Sequence, residues 1–506
     1  MVPTTQDNNK MIVQVLLIFV IICLLIAFLK RQWNEQYWKK RGVKFHQRNK
    51  LFGPFWDFMV QDRAFFEIIS DIYKEHKDDG MVGLGSALNP MLFVTDPKII
   101  QQVLQTDFHS FYHRGIEAQP GDKLADNVLF MNGNRWKLTR QSVTPLFTAS
   151  KLKSMYYIMD KSARDFVSYL DDNPDKLKGD TYNLLATFCC AAVGASVFGI
   201  TTESVFDSPF LEMSRKALES NFLNDLKVTL MVQIPWLFRM LGMSLFGKHE
   251  PLFISAIKKT IRQREIENVK KHDFAELCVN LQKSGELRDT DTGLVLEPTD
   301  ELMAAQGFFF FIAGVEPSTT ALFCTLMELG RHPKVLNRLH EEIDAAFENN
   351  NGQITYDTVI ELKYLDMVLS EGLRLYPPVT QILRQCVQDT FVPEKKVKIE
   401  KDTKILISIY ELQRDPKHFP NPEEFIPERF ESKEVSEYFM PFGKGQRTCI
   451  GNRFTRIQVK TGLIYLLRHY TVKTAIDGDK IKFHKKPFQL YPSNVDVQLI
   501  RRDNVA

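Results

Sequence analysis

From Met11 to Leu29 the chain is apolar, and Gln14 is its one strongly polar position. As a helix this run extends about 28 Å, close to the hydrocarbon thickness of a bilayer. Lys30, Arg31, Lys39, Lys40 and Arg41 follow it, against Lys10 before it. That asymmetry predicts a short lumenal N-terminus over 1–10, a transmembrane signal anchor over 11–29, a basic linker over 30–50 and one cytosolic domain over 51–506. A cleaved signal peptide would have a shorter apolar run and a small-residue cleavage site, and Leu29-Lys30-Arg31-Gln32-Trp33 offers none. Further on, Met81–Leu84 and Met91–Val94 read as two short strands joined through Asn89-Pro90, and Asp96-Pro97 starts a helix. Residues 150–270 carry helical periodicity. Within them, Phe222–Phe246 is unusually apolar, which suits either a lid dipping into a bilayer or a buried helix pair. Lys248–Lys271 has mixed charge, as a solvated helix face would. Glu301–Leu329 reads as one long helix, and its stretch from Ala304 to Gly314 is apolar all round, so it is expected to be buried. Thr403–Tyr410 is a strand candidate. The expected class is mainly α with small β-sheets (α+β).

Composition adds bounds. The chain has 506 residues, 44% of them hydrophobic, enough for a large core. No Pro/Gly/Ser-rich linker or repeat follows residue 60, which favours one large unit. A net charge of +3 is too near balance to imply nucleic acid. The seven cysteines are odd in number and scattered, pointing to a reducing compartment.

The chemistry concentrates at Phe442-Gly443-Lys444-Gly445-Gln446-Arg447-Thr448-Cys449-Ile450-Gly451. Cys449 has no second Cys or His near it in sequence, whereas zinc needs three or four protein ligands. Haem iron takes a single axial cysteinate, so haem is the metal group that fits. Gly443, Gly445 and Gly451 let the backbone turn tightly enough to aim N–H groups at a negative sulfur. The periodic segment that follows puts Cys449 just ahead of a helix N-terminus, which would lower the thiol pKa. Phe442 would shield the sulfur, and Arg447 would pair with a haem propionate. The competing readings are a glycine-rich surface loop with a free cysteine, and a phosphate loop. The latter lacks a Gly-Lys-Ser/Thr ending and has Thr448 where GxGxxG needs its last glycine.

The run FGKGQRTCIGNRF resembles the haem-binding loop of the cytochrome P450 family, with Gln446 where a proline is often seen. Four further elements resemble the family in consistent order over residues 34–500: Trp136-x-x-x-Arg140, Ala313-Gly314-Val315-Glu316, Glu371-x-x-Arg374 and Pro427-Glu428-Arg429-Phe430. The resemblance implies a P450-like fold behind an N-terminal transmembrane helix. It implies haem b held by Cys449 as axial ligand, with Arg447, Trp136, Arg140, Arg384, Phe442, Gly443 and Gly451 around it. Glu371, Arg374 and Arg429 would be structural. The family usually places a threonine after the distal acidic residue, and here that position is Pro317. Glu316 and Ser318, a water or a substrate hydroxyl would then deliver protons.

Likeness to insect microsomal members, which extends to Trp38–Val43, implies insertion of one oxygen atom from O2 into lipophilic xenobiotics, plant toxins or insecticides, with endogenous lipids a further class. It also implies attachment to the endoplasmic-reticulum membrane, electrons from NADPH–cytochrome P450 reductase, and cytochrome b5 as a second donor. Arg135, Lys137, Lys444, Arg453, Arg456 and Lys460 are candidates for the basic docking patch, or ordinary surface charges. The expected cavity is large, apolar and without a fixed charge partner. Its walls are the 108–127 segment, a lid near 210–240, one or two of Phe308–Phe311, and residues 378–383. Two other classes stay open: a haem-thiolate isomerase or dehydratase that consumes peroxides without a reductase, and a non-catalytic haem protein that binds lipophiles.

Overall fold

The computed structural model describes residues 5–46, 54, 56–60, 62–85, 90–117, 119, 121–199, 206, 222–233, 235–267, 271–432, 437–485 and 490–503. Its first element is the helix Thr5–Lys39. The described apolar side chains of its middle, Leu17, Ile18, Ile21 and Ile22 among them, are exposed. The helix does not give way to a linker at residue 30. It continues to Lys39, and its last turns belong to the fold: Asn34 and Trp38 are fully buried and Tyr37 nearly so. Trp38 lies flat on the bare backbone of Gly83, where an added Cβ would stand 2.3 Å from its indole ring. A tryptophan and a tyrosine two turns past the basic pair Lys30-Arg31 have more area to bury than the charges have reason to stay unstructured.

Gly83 is on the edge of a four-stranded sheet ordered Met81–Leu84, Met91–Val94, Lys404–Ser408, Gln381–Gln385. The first two strands have the predicted limits, and the predicted Thr403–Tyr410 strand is Lys404–Ser408. Asp96 caps the next helix, accepting from the Lys98 and Ile99 N–H groups. One apolar core lies against this sheet.

A second, larger core surrounds the helix Asp300–Arg331. Thr299 caps it by accepting from the Leu302 N–H. Because this helix is apolar on every face, it must be covered on every face. The helices Thr181–Phe198, Glu250–Glu267, Lys363–Leu375 and Asn452–His469 all pack on it. Thr181–Phe198 and Asp300–Arg331 are long and apolar enough to cross a membrane, yet both are core helices, with 94% and 78% of their apolar windows buried. The solvated face expected over Lys248–Lys271 holds for Lys258, Lys259 and Arg262. It fails at Arg264, which is buried in an ion pair with Asp273 at 2.7 Å. Arg264 follows Ile261 by three residues, so it shares that residue's inward face. Lys270 lies outside the described residues. Among the described residues, six cysteines are free.

Candidate active site

The loop carrying Cys449 is closed by its own backbone. The Cys449 N–H donates to the Phe442 carbonyl at 2.9 Å and the Thr448 N–H to that of Gly445 at 3.0 Å. Gly443 and Gly445 both take φ of +74°, in the left-handed region that only glycine enters without strain. Gly445 also touches its neighbour, since an added Cβ would lie 1.9 Å from the Leu104 carbonyl oxygen. Gly445→Ala is therefore expected to displace the loop and lower haem content at least about tenfold, read as haem absorbance per mole of purified protein. Gly451 is the N-cap of the helix Asn452–His469, as the sequence predicts, and its N–H points at the sulfur.

Cys449 exposes its surface to the interior of a cavity of about 1190 Å³ rather than to the outside. Burial, opposed by the Gly451 N–H and then by Arg140 and Arg114, holds the thiol above its ordinary value. The Gly451 N–H at the helix terminus acts in the expected, lowering direction, and burial outweighs it; a bound metal ion would deprotonate a coordinating thiol.

Arg114, Arg140, Arg384 and Arg447 all line this cavity. Burial is the largest influence on each. Mutual repulsion adds to it at three of them, bringing Arg114 down to about 10, Arg384 to about 9 and Arg447 to about 8; Arg140 is lowered by burial, opposed by Cys449. Arg447 is held by carbonyls: it donates to Tyr112 at 3.1 Å and to Met131 at 2.9 Å. Arg140 donates to the Thr448 carbonyl at 2.9 Å. The buried Nε atoms of Arg114 and Arg384 have no protein partner, and no carboxylate is among the described residues that line the cavity. Four crowded guanidiniums with spare donors require an anion. A planar apolar group bearing two carboxylates, with a metal ion to meet Cys449, satisfies all of them, so the residues fit haem. Arg114 falls in the 108–127 segment expected as a cavity wall but is absent from the haem contacts expected from the sequence; it sits alone in a loop, without a motif partner.

Trp136 does not line the cavity. It is buried under the Arg447 guanidinium at 3.9 Å, so it supports a cavity-lining cation. Phe442, Gly443 and Gly451 reach the wall beside Cys449. On the central helix Asp300–Arg331, Phe309, Phe310, Ala313, Gly314 and Pro317 face the cavity, while Phe308 and Phe311 turn into the core around Phe253. Two of four phenylalanines inward is what 100° per residue allows.

The same geometry separates Pro317 from its neighbours. Glu316 and Ser318 are buried and do not line the cavity. Glu316 accepts from the Tyr182 hydroxyl at 3.1 Å, which also lies 3.1 Å from the Thr320 hydroxyl. The Ser318 Oγ has no protein partner. Neither residue is brought to the reacting space.

The other walls agree with the expectation at Arg114, Ile116 and Pro378–Leu383, and along Leu223–Met231 of the lid; residues 210–221 lie outside the described residues. One expectation needs correcting. The cavity is not free of charge at its roof, where Lys227, Lys248 and His249 join the lining. Around the candidate docking surface, Arg135 pairs with Asp126, Lys137 with Asp291, and Arg456 with Asp366. Lys460 is buried beside Asp366 at 3.6 Å and offers nothing to a partner surface.

Glu371 and Arg374, both fully buried, are joined by two bonds of 2.7 and 2.8 Å. Arg374 spends its other donors on the carbonyls of Gln413, Pro422 and Glu424, and Glu371 also accepts from Arg429 at 3.2 Å and from the Ile426 N–H. Gln413 then accepts from the Met440 N–H at 2.9 Å, two residues before Phe442. These bonds link the trio to the approach to the cysteine loop.

The cytochrome P450 family model matches residues 33–499. Cytochrome P450 6k1 of Blattella germanica is 33% identical over 482 residues, covering 91% of this chain and 92% of that protein. Cytochrome P450 6B7 of Helicoverpa armigera is 32% identical over 471 residues, covering 91% and 92%. Cytochrome P450 6a2 of Drosophila melanogaster is 31% identical over 507 residues, covering 97% and 99%. With its cysteine loop, its arginine-walled cavity and this similarity along nearly the whole sequence, the chain belongs to the cytochrome P450 family of haem-dependent monooxygenases.

Proposed function

We propose that this enzyme oxidises lipophilic small molecules at the endoplasmic-reticulum membrane, with electrons from NADPH–cytochrome P450 reductase and cytochrome b5 as a second donor. Xenobiotics, plant toxins and insecticides are the substrate class, with endogenous lipids as a further one. The observation that carries the reading is the cavity itself. Its arginines gather around one end, Cys449 lies in its wall, and phenylalanine, leucine, valine and methionine side chains supply the remaining space.

Haem supplies electron-fed activation of O2, favoured by electron donation from the thiolate ligand. The chain does the rest. Cys449 would hold the iron, and Arg114, Arg140, Arg384 and Arg447 would neutralise the propionates. Trp136 keeps Arg447 aimed. Ala313 and Gly314 keep the central helix slim where it borders the cavity, and a Cβ added to Gly314 would stand 3.0 Å from Val193, another lining residue. Phe309, Phe310 and Phe147 exclude water and orient an apolar substrate. The central helix offers the cavity no side-chain hydroxyl near Pro317, so proton delivery falls to water or to a substrate hydroxyl. The helix Thr5–Lys39 supports the membrane assignment, as do exposed Trp236, Met240 and Leu241 in the described part of the lid. Arg135, Lys137, Lys444, Arg453 and Arg456 remain as the basic groups for an acidic donor protein.

The test is product formation from a panel of lipophilic probes, with reductase and NADPH in one arm and an organic hydroperoxide alone in the other. Product only in the first arm supports the proposal. Isomerisation or dehydration of the hydroperoxide, with no NADPH-driven product, would favour the reductase-independent reading, which Pro317 at the cavity wall motivates. Pro317→Thr would place a hydroxyl on the cavity side of the helix. Product per NADPH consumed is expected to rise by up to about 10². No change would mean that water already delivers protons efficiently.

A further inference from the structure

On the sheet side of the molecule, away from the cavity lining, two buried histidines meet. His46 Nδ1 lies 3.2 Å from His76 Nε2. The Glu75 carboxylate straddles the pair, with Oε2 3.3 Å from His46 Nδ1 and Oε1 3.3 Å from His76 Nε2. The rings stand nearly perpendicular, at 83°. Four ligands at the zinc–nitrogen distance of 2.0–2.1 Å in a tetrahedron are separated by about 3.3 Å. The His46–His76 separation of 3.2 Å falls on that edge length, and Glu75 keeps an oxygen within 3.3 Å of each nitrogen, so either carboxylate oxygen can supply the third ligand. The geometry points to a divalent transition-metal site, of which zinc is the type, formed by His46, Glu75 and His76 with the fourth position open to water.

Two features show that the site is built rather than merely crowded. The first is the support behind His76. Its Nδ1 lies 2.9 Å from Asp79, which in turn accepts from Lys44 at 2.6 Å. A carboxylate on Nδ1 fixes the tautomer that leaves the Nε2 lone pair free for a metal, the arrangement that metal-binding histidines commonly use. The second is the fixing of both backbones. His46 donates its N–H to the Gly83 carbonyl at 2.9 Å, and the Gly83 N–H donates to Lys44 at 2.8 Å, which pins the chain to the sheet edge. His76 closes the helix Phe65–His76. A metal here would clamp the segment after the helix Thr5–Lys39 to the end of that second helix. Among the described residues, this is the one cluster of three such ligands.

The competing occupant of the gap is a proton, with His46 Nδ1–H donating to His76 Nε2. Metal binding would move that proton to the other His46 nitrogen or to solvent. The two cases separate in full-length, haem-loaded protein stripped with a chelator. Zinc would be titrated in competition with a chromophoric chelator, its stoichiometry taken by elemental analysis, and its ligands read from zinc-edge X-ray absorption. The expected result is one zinc per chain in a nitrogen/oxygen shell at about 2.0–2.1 Å with imidazole scattering. Affinity should fall at least about 100-fold in the His46→Ala, His76→Ala double variant and about 10–100-fold in Asp79→Asn. The haem spectrum should be unchanged in both. Glu75 is 60% exposed, so Glu75→Gln tests the ligand set without a folding risk, with an expected loss of about tenfold or more. Absence of micromolar binding, equal binding by the variants, or a sulfur shell would overturn the site and leave a hydrogen-bonded histidine pair.

Discussion

Cys449→Ser is expected to leave a folded protein that has lost thiolate-ligated haem and more than about 10³ of its NADPH-driven turnover, equivalent to about 4 kcal/mol of barrier. Cys449 presents its surface to the cavity, so replacing sulfur by oxygen removes little packing. It does remove the one cysteine among the described residues of the cavity wall. A serine hydroxyl is far less acidic than a thiol and far harder than a thiolate, so it donates little electron density to iron. The loop should persist, because the Cys449 N–H to Phe442 bond and the two left-handed glycines do not depend on the sulfur. The measurement pairs the carbon monoxide difference spectrum of the reduced protein with circular dichroism. A variant that kept a thiolate-type spectrum and its turnover would mean that the wrong residue has been identified.

Arg374→Ala should act through stability instead. The substitution strands Glu371, which has no exposed surface, and it leaves the carbonyls of Gln413, Pro422 and Glu424 without their donor. Breaking one side of a buried pair costs about 3–5 kcal/mol, against a total stability of about 5–15 kcal/mol for a typical domain. The expected outcome is a large loss of folded, haem-containing protein, measured as haem per chain after expression and as the thermal midpoint of what survives. Lys137→Ala removes an exposed pair with Asp291 and should leave the thermal midpoint close to that of the parent protein. An Arg374→Ala protein as stable as the Lys137→Ala control would show that the trio does not brace the loop. The two variants also separate roles: Cys449→Ser loses chemistry with the fold intact, whereas Arg374→Ala loses the fold and the chemistry with it.

The sequence by itself determined what short stretches decide locally. The cysteine loop is legible because glycines at 443 and 445 and a lone sulfur form a contiguous, backbone-dictated unit. The strands Met81–Leu84 and Met91–Val94, the Asp96 cap and the buried central helix are legible for the same reason: alternation, capping and all-round apolarity need no distant partner. The tertiary structure decided which face each residue shows and what meets it there. Glu316, Pro317 and Ser318 are consecutive, yet only Pro317 faces the cavity, because the helix Thr181–Phe198 brings Tyr182 against Glu316. Arg114 joins the arginine wall of the cavity only because its loop returns beside Arg447, to whose carbonyl it donates at 3.2 Å. Lys460 and Arg264 look like surface charges in sequence but are buried by neighbouring elements that also supply Asp366 and Asp273. His46 and His76 are thirty residues apart, and only the sheet edge at Gly83 brings their rings together. Each of these outcomes depends on a contact between chain segments far apart in sequence, and the periodicity of one segment carries no information about what packs on it.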